Sequence, residues 1–349
     1  MKELTREFNM LKLFAGFQRD MKSGKRLQKN GKKIRSGSLI NYSCLGKLLL
    51  LFSEKYDFPL RIKPLTKQDE KLIKDENRYW KEFYYLFTKF LYDDLGHYDN
   101  YVGTMIKLLR SFFNYLQLEK NMNIGNFHKK FHSPAQEVDI FALSSERLAL
   151  MIRNTNKLST MPEHWKPIRH IFLFGCATGL RFSDLMALRN ENIERIGKVV
   201  YLRTISKKTQ TFSRVRLPDY TIEIINRYSP HLKGSIFPTY SLWYFNDCIK
   251  NIMEHYGFTE PVLKYRTKRG IPQQILKQKS NPRFCDLASS HLMRRTAITH
   301  LLRMKVPEPI VRQVSGHSPG SKDFYRYIAF SQTYMDKELM KAFDKMPAS

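Results

Sequence analysis

The sequence predicts a mainly helical protein with one small antiparallel β-sheet. Apolar residues recur at the spacing of an α-helix along most of the 349-residue chain. By contrast, Val199–Ile205 and Phe212–Leu217 are rich in β-branched residues and alternate in polarity, with a short polar segment between them. This pattern indicates a hairpin. Since it occurs in only one region, we expect a single small sheet.

The predicted helices precede and follow this hairpin. Helical periodicity before it covers Ile40–Phe52, Trp80–Leu91, Val102–Leu116, a serine-capped helix that starts at Leu143-Ser-Ser-Glu, and Glu163–Thr178. Helical periodicity after it covers Thr221–Tyr228, Leu242–Tyr256, Ser290–Met304 and Glu308–Val314. The aromatic residues in these helices are typical of core packing, so no direct contact with nucleic acid is assigned to them.

The charge of the chain points to an acidic partner. Lys and Arg number 60 against 32 Asp and Glu, which leaves a formal net charge of +28. Such a chain repels itself unless a polyanion neutralises it, and nucleic acid is the natural candidate. A basic proteome would also account for the charge, so the motifs must decide between the two explanations.

Cysteine usage and hydropathy favour a cytoplasmic protein. The four cysteines are far apart and show neither the paired spacing of a zinc site nor the density of a disulfide framework. The apolar run Leu48–Phe52 is too short for a membrane span or a signal segment. We therefore expect no metal site, no export and no membrane association.

Composition divides the chain into regions. Residues 1–65 are predicted to be a basic N-terminal arm that binds DNA, because Arg19–Arg35 contains eight basic residues and one acid. That run is typical of a mobile arm or hairpin on phosphates, or of a solvated tail. Residues 66–120 are predicted to form a helical domain, 121–142 a linker and 143–349 a second domain. The basic stretch Pro261–Cys285 is interpreted as a flexible surface loop or, if the motifs below place DNA nearby, as a segment along the DNA backbone.

The segment Ala177-Thr-Gly-Leu-Arg is the first candidate for chemistry. Gly179 can end a helix in the left-handed conformation and Ser183 can cap the next, which would fix Arg181 in a tight turn. A guanidinium held in this way suits a phosphate, because its planar fork of donors matches the phosphate oxygens. Asp184 could orient it. A surface arginine at a helix start is the alternative.

Two further motifs carry histidines. His291 and Arg294 are three residues apart in a predicted helix and would share a face, although a solvated basic face has the same pattern. Gly316 can end a short helix and present His317. Tyr327 follows ten residues later. A phenol is a poor nucleophile near neutral pH unless positive groups favour its ionised form, and neighbouring arginines would do so.

Together these elements resemble the tyrosine recombinase, or phage integrase, family. The resemblance covers residues from about 143 to 343 and depends on the order of a Gly-Leu-Arg turn, a hairpin lysine, His-x-x-Arg, Gly-His and a tyrosine. It implies a helical core-binding (SAM-like) domain at 66–120 and a catalytic domain at 143–349. These would close on DNA as a C-shaped clamp.

The resemblance also implies a role for each motif residue. Arg181 and Arg294 would bind the scissile phosphate, and Lys208 would protonate the departing 5′ oxygen. His291 and His317 would hydrogen-bond the phosphate and assist proton transfer, while Tyr327 would form a 3′-phosphotyrosine. No metal and no cofactor would be needed, since fixed cationic donors meet the growing charge.

Two positions depart from the family pattern. Tyr327 lies ten residues after His317, where nine is usual, so Tyr325 at eight is a competitor. The hairpin is slightly long, so Lys207 competes with Lys208, and a slip of one residue would exchange the two.

The expected function is therefore site-specific DNA recombination for a mobile element, by integration or excision. The partners would be double-stranded DNA and other copies of the chain, in a homotetramer on two sites, with possible accessory DNA-bending proteins. Two alternatives are kept. One is a monomeric relaxase that resembles type IB topoisomerases, and the other is a DNA-binding regulator of the same fold without catalysis.

Overall fold

In the computed structural model the chain forms two compact units. The first comprises Met1–Val138 with Tyr265–Gln274, and the second comprises Asp139–Lys264 with Ile275–Ser349. The structure describes residues 7–28, 30–65, 70–207, 210–228, 230, 232–317, 320–321, 324–327, 336, 339–340 and 343. Among these residues no helix combines the length and apolar character needed to cross a membrane.

Four long helices make up most of the first unit. They are α1 (Met10–Ser23), α2 (Ser36–Tyr56), α3 (Glu70–Lys89) and α4 (Asp99–Leu118). Two short strands, β1 (Phe8–Asn9) and β2 (Arg61–Ile62), pair antiparallel. The helices predicted at 40–52, 80–91 and 102–116 are confirmed. Those at 40–52 and 102–116 are longer at both ends, whereas α3 begins earlier and passes at Phe90 into a π-helix, Phe90–Asp94.

The N-terminal segment differs from the expected arm, because α1 packs into the core of the first unit. Phe14 and Phe17 are buried, and their rings lie 5.0 and 5.5 Å from that of Phe112 in α4. The apolar residues of α1 occur at helical spacing, but the prediction for residues 1–65 was based on the basic run Arg19–Arg35, most of which follows this helix. After α1, Leu27 and Lys33 form an antiparallel bridge, so the basic run includes a short hairpin.

The expected linker also contributes to this core. Ile124, Phe127 and Phe131 are buried with the four helices, and the Phe127 ring stacks on that of Trp80 at 4.2 Å. These aromatic residues have no helical periodicity because their segment is irregular apart from one 3-10 turn. The compact first unit therefore extends to Val138.

A hairpin occupies part of the basic stretch that was interpreted as a DNA-following segment or a flexible loop. It comprises β6 (Tyr265–Lys268) and β7 (Ile271–Gln274) and clusters with the first unit. The Asp99 carboxylate accepts hydrogen bonds from the backbone N–H groups of Arg269 at 2.8 Å and Gly270 at 2.9 Å. A buried carboxylate thus holds the hairpin turn.

The second unit is helical with one three-stranded sheet. Its helices are α5 (Ser145–Arg153), α6 (Thr155–Ser159), α7 (Lys166–Thr178), α8 (Phe182–Leu185), α9 (Asp219–Tyr228), α10 (Leu242–His255), α11 (Phe284–Leu287), α12 (Ser290–Arg303) and α13 (Glu308–Ser315). The sheet consists of β3 (Ile193–Ile196), β4 (Val199–Ile205) and β5 (Phe212–Arg216) in the antiparallel order β3-β4-β5. The predicted fold class is confirmed. The expectation of a single sheet is wrong, because β3 and the two-stranded pairs β1–β2 and β6–β7 were not foreseen.

A close approach of α7 and α12 positions the candidate site. A Cβ built on Gly175 in α7 would clash with Sδ of Met293 in α12, so a larger residue would require the Met293 side chain or the two helices to move apart. Both helices are otherwise lined with buried apolar side chains. The end of α7 is thereby held against the middle of α12.

Candidate active site

The turn after α7 presents Arg181. Gly179 ends α7 with φ of 66°, in the left-handed conformation that was predicted for it. Arg181 itself has extended backbone angles and immediately precedes α8. The expected cap by Ser183 is wrong: Ser183 lies inside α8, and Arg181 occupies the N-cap position without a side-chain cap.

Arg181 is oriented through a relay to Asp184. Its Nη1 donates to Oγ of Ser206 at 2.9 Å, and that hydroxyl donates to Oδ2 of Asp184 at 3.3 Å. The other carboxylate oxygen of Asp184 accepts the backbone N–H of Lys207 at 3.2 Å. Asp184 therefore connects the turn that contains Arg181 to the end of β4. The position of Asp184 in the sequence did not indicate this connection.

Lys208 lies outside the described residues. Lys207 is described: its side chain is exposed, while its backbone is held by Asp184. The assignment of Lys208 stays a prediction.

Arg294 lies in the middle of α12 and is 3% exposed. Its Nη1 donates to the carbonyl oxygen of Gly179 at 2.9 Å, and its Nη2 lies 3.2 Å from Nε2 of His317. Burial, and then the nearby positive charge of Arg181, lower the pKa of Arg294 to about 10. Burial also lowers the pKa of Arg181. Arg181 and Arg294 are therefore two partly desolvated positive charges that repel each other. A bound anion would offset both the desolvation and the repulsion.

The two histidines lie at different depths. Gly316 ends α13 with φ of 58° and presents His317, as predicted. Burial lowers the pKa of His317 to about 3, and the charges of Arg294 and Arg181 add to this effect. His291 is exposed at the start of α12, close enough for its charge to act on His317. The shared face of His291 and Arg294 therefore runs from the surface to the buried site.

Tyr327 lies in this cluster and Tyr325 does not. Tyr327 is 5% exposed, and its ring centroid lies 5.9 Å from that of His317. The Tyr327 side chain also acts to raise the pKa of Arg294 and of Arg295, so it lies near both guanidinium groups. Tyr325 is 54% exposed and packs against the Arg312 guanidinium at 4.9 Å.

The second unit thus brings four of the predicted residues together, namely Arg181, Arg294, His317 and Tyr327, with His291 at the edge. Sequence reasoning missed three contributors: Ser206, Arg295 and Ser315. Arg295 directly follows Arg294 in the sequence, so its adjacency to a predicted site residue could have indicated it. The two serines carry no such signal, because their role depends on contacts between elements distant in sequence.

Chemically, the cluster is a cationic pocket beside a phenol. Its guanidinium groups match the oxygens of a phosphate, and its tyrosine is a potential nucleophile. Within the described part of the chain, no group of three or more His, Cys, Asp or Glu is arranged to hold a metal ion.

Comparison with known proteins places the chain in a family. The sequence model of the phage integrase family matches residues 146–332, which is more than half of the chain. This chain belongs to the phage integrase family. A tyrosine recombinase of Thermosipho africanus (strain TCF52B) is 23% identical over 235 residues, which cover 67% of this chain and 73% of the relative.

Solved structures show that this family member shares its fold with DNA recombinases. The post-cleavage complex of the XerH site-specific recombinase with a palindromic difH substrate matches with a TM-score of 0.61 and 14% identity, over 97% of this chain and 99% of that one. A lambda integrase tetramer bound to a Holliday junction matches with a TM-score of 0.55 and 14% identity, over 89% of this chain and 78% of that one.

Proposed function

We propose that this protein is a site-specific DNA recombinase that cuts and rejoins DNA through a 3′-phosphotyrosine on Tyr327, for integration or excision of a mobile element. One arrangement supports this proposal above all. Tyr327 is buried, its ring lies 5.9 Å from that of His317, and it shares a cationic pocket with Arg294 and Arg181. A protein that only binds DNA does not need a buried phenol at a phosphate site.

In the proposed reaction, Arg181 and Arg294 bind the non-bridging oxygens of the scissile phosphate. Oη of Tyr327 attacks phosphorus and loses its proton, while the bond from phosphorus to the 5′ oxygen breaks. Lys208 supplies the proton that the departing 5′ oxygen takes up. Because the pocket is preorganised, its donors meet the growing negative charge without rearrangement.

His291 and His317 complete the proposed donor set. The depressed pKa of His317 leaves its ring neutral in the free protein. A bound phosphate would offset the nearby guanidinium charges and favour protonation of the ring. His317 can therefore accept a proton during attack and then donate a hydrogen bond to a phosphate oxygen.

The choice of Lys208 over Lys207 is supported by the environment of Lys207. The buried residues of β4 and its extension are Val200, Leu202, Thr204 and Ser206. Lys207 falls in the exposed phase of this alternation. Its backbone is also engaged by Asp184. These contacts argue against a role for Lys207 in proton transfer.

Double-stranded DNA is the proposed substrate, and the active assembly is a homotetramer on two sites. The phosphotyrosine conserves the energy of the phosphodiester, so a 5′ hydroxyl from a second duplex can displace it without ATP. The XerH and lambda integrase complexes, with their DNA substrates, support this assignment. We propose that the two domains clamp the DNA, that basic residues of the first 65 add contacts to it, and that accessory DNA-bending proteins assist.

Covalent trapping tests the nucleophile. Wild type, Tyr327→Phe and the matched control Tyr325→Phe are incubated with nicked duplexes that carry the candidate recombination site, and denaturing gels reveal protein–DNA adducts. We expect an adduct with wild type and Tyr325→Phe and none with Tyr327→Phe. Tight, salt-sensitive binding without any adduct would instead favour the regulator. Relaxation of supercoiled plasmids that lack the site would favour the relaxase.

A further inference from the structure

Ser315, the last residue of α13, makes two short contacts through its side chain. It is 2% exposed, and its Oγ lies 2.6 Å from the carbonyl oxygen of Val311, one turn earlier. The same Oγ lies 2.8 Å from Nδ1 of His317. The hydroxyl thus bridges the helix backbone and the imidazole.

The number of protons available fixes the donor and the acceptor in both hydrogen bonds of the Ser315 hydroxyl. A serine hydroxyl has one proton, and a carbonyl oxygen can only accept. The Ser315 hydroxyl therefore donates to Val311, and its Oγ accepts a hydrogen bond from Nδ1–H of His317. Because burial and the charges of Arg294, Arg181, Arg312 and His291 lower the pKa of His317 to about 3, the ring is neutral near pH 7 and carries only this one proton.

The other ring nitrogen then faces the cationic pocket with a lone pair. Nη2 of Arg294 lies 3.2 Å from Nε2 and 3.3 Å from Nδ1 of His317. Because Nδ1 carries the proton, only the lone pair of Nε2 can accept a hydrogen bond from Nη2. A phosphate bound by Arg294 would lie next to the same nitrogen. The orientation set at Nδ1 therefore decides which atom of His317 the substrate meets.

Closure of the helix end does not depend on the Ser315 side chain. Gly316 donates its backbone N–H to Gln313, and His317 donates its own to Arg312 at 3.0 Å. These bonds satisfy two of the last carbonyls of α13 with backbone donors. The hydrogen bond from Nδ1–H of His317 is therefore the contact for which the Ser315 hydroxyl is needed.

We propose that Ser315 is a positioning residue, which fixes His317 as the Nδ1–H tautomer and presents Nε2 to the scissile phosphate. During attack Nε2 takes up the proton that Tyr327 releases, and the resulting imidazolium donates from Nε2 to a phosphate oxygen while Nδ1–H stays on Ser315. This inference rests on the proposed function for the phosphate, but the tautomer itself exists in the free protein.

Nitrogen-15 NMR of the histidine-labelled full chain tests the tautomer without DNA. The His317 signals are assigned by their loss in His317→Gln. We expect the Nδ1–H pattern in wild type and Ser315→Thr, and a shift toward the Nε2–H pattern in Ser315→Ala. An Nε2–H pattern in wild type, or an unchanged one in Ser315→Ala, would overturn the proposal.

Single-turnover cleavage of the nicked duplex tests the consequence. Loss of one hydrogen bond to a reacting group should slow cleavage by Ser315→Ala about 10-fold, with DNA affinity unchanged and the rate restored in Ser315→Thr. In a protein that already carries His317→Gln, Ser315→Ala should not slow cleavage any further. An equal slowing in both backgrounds would show a structural role and overturn the proposal. If wild type forms no adduct, the proposed function fails, whereas the NMR result still decides the role of Ser315.

Discussion

Arg294 donates from Nη1 to the carbonyl oxygen of Gly179 over 2.9 Å, across 115 residues of sequence. The bond joins the middle of α12 to the turn that presents Arg181. It fixes one edge of the guanidinium, while Nη2 of the same group lies against the His317 ring. The two candidate phosphate-binding arginines are thus held in a common framework by a backbone contact.

Replacing Arg294 with lysine should lower single-turnover DNA cleavage by about 100-fold or more. An ammonium group lacks the planar fork, so it cannot bond Gly179 and bind two phosphate oxygens together. Arg303→Lys is the matched control, because Arg303 is exposed on the same helix. Wild-type cleavage by Arg294→Lys would contradict the assignment.

Asp184→Asn should slow cleavage by about 10-fold while DNA affinity changes little. The substitution removes the negative charge that supports the relay through Ser206 to Arg181. Cleavage rates and filter-binding affinities measured on the same nicked duplex separate the two effects. Asp247→Asn, on the exposed side of α10, serves as the control and should match wild type. A loss of affinity as large as the loss of rate would indicate a folding defect instead.

Gly175→Ala should lower the free energy of unfolding by about 1–3 kcal/mol, measured by denaturant titration. The added methyl would clash with the Met293 side chain unless α7 and α12 separate. Met293→Ala in the same chain should recover part of the loss, since it removes the clashing atoms. Gly37→Ala in α2 is the control, because a Cβ there meets nothing within 4 Å. Equal stability of the two alanine variants would argue against the close approach.

Acid should destabilise the protein through His170. Burial, and then the charge of Arg169, lower the pKa of His170 to about 3 from 6.5. The unfolded chain therefore binds the proton more readily, and stability is lost as the pH falls from 6.5 toward 3. One such histidine contributes up to about 1.4 kcal/mol per pH unit in this window. His170→Gln should show a shallower fall in unfolding free energy below pH 6.5, whereas a slope equal to wild type would exclude this role.

Local backbone rules made parts of the fold predictable from sequence. Ser144 caps α5 by accepting the backbone N–H of Arg147, as the serine followed by an early acid indicated. Gly179 and Gly316 end their helices in the left-handed conformation. Alternation predicted the pairing of β4 with β5. Each of these signals is confined to a few neighbouring residues.

Contacts between distant segments were not predictable in this way. Attention to the basic charge of residues 1–65 led us to miss the apolar face of α1. Asp99 binds the turn of a hairpin that lies 170 residues away in sequence. Ser206 and Ser315 look like ordinary serines until tertiary packing places them beside Arg181 and His317. The order of motifs indicated which residues would meet, whereas the hydrogen bonds that orient them depend on the folded chain.

The β6–β7 hairpin restricts how this protein could evolve by exchange of modules. The chain crosses between the two compact units at 138/139, 264/265 and 274/275, so the first unit is assembled from two separate stretches of the gene. A recombination event that replaced only the N-terminal 138 codons would retain the hairpin but remove Asp99, whose carboxylate binds the hairpin turn. Ancestral swaps in this lineage would therefore have needed two coordinated exchanges, or a new partner for the turn.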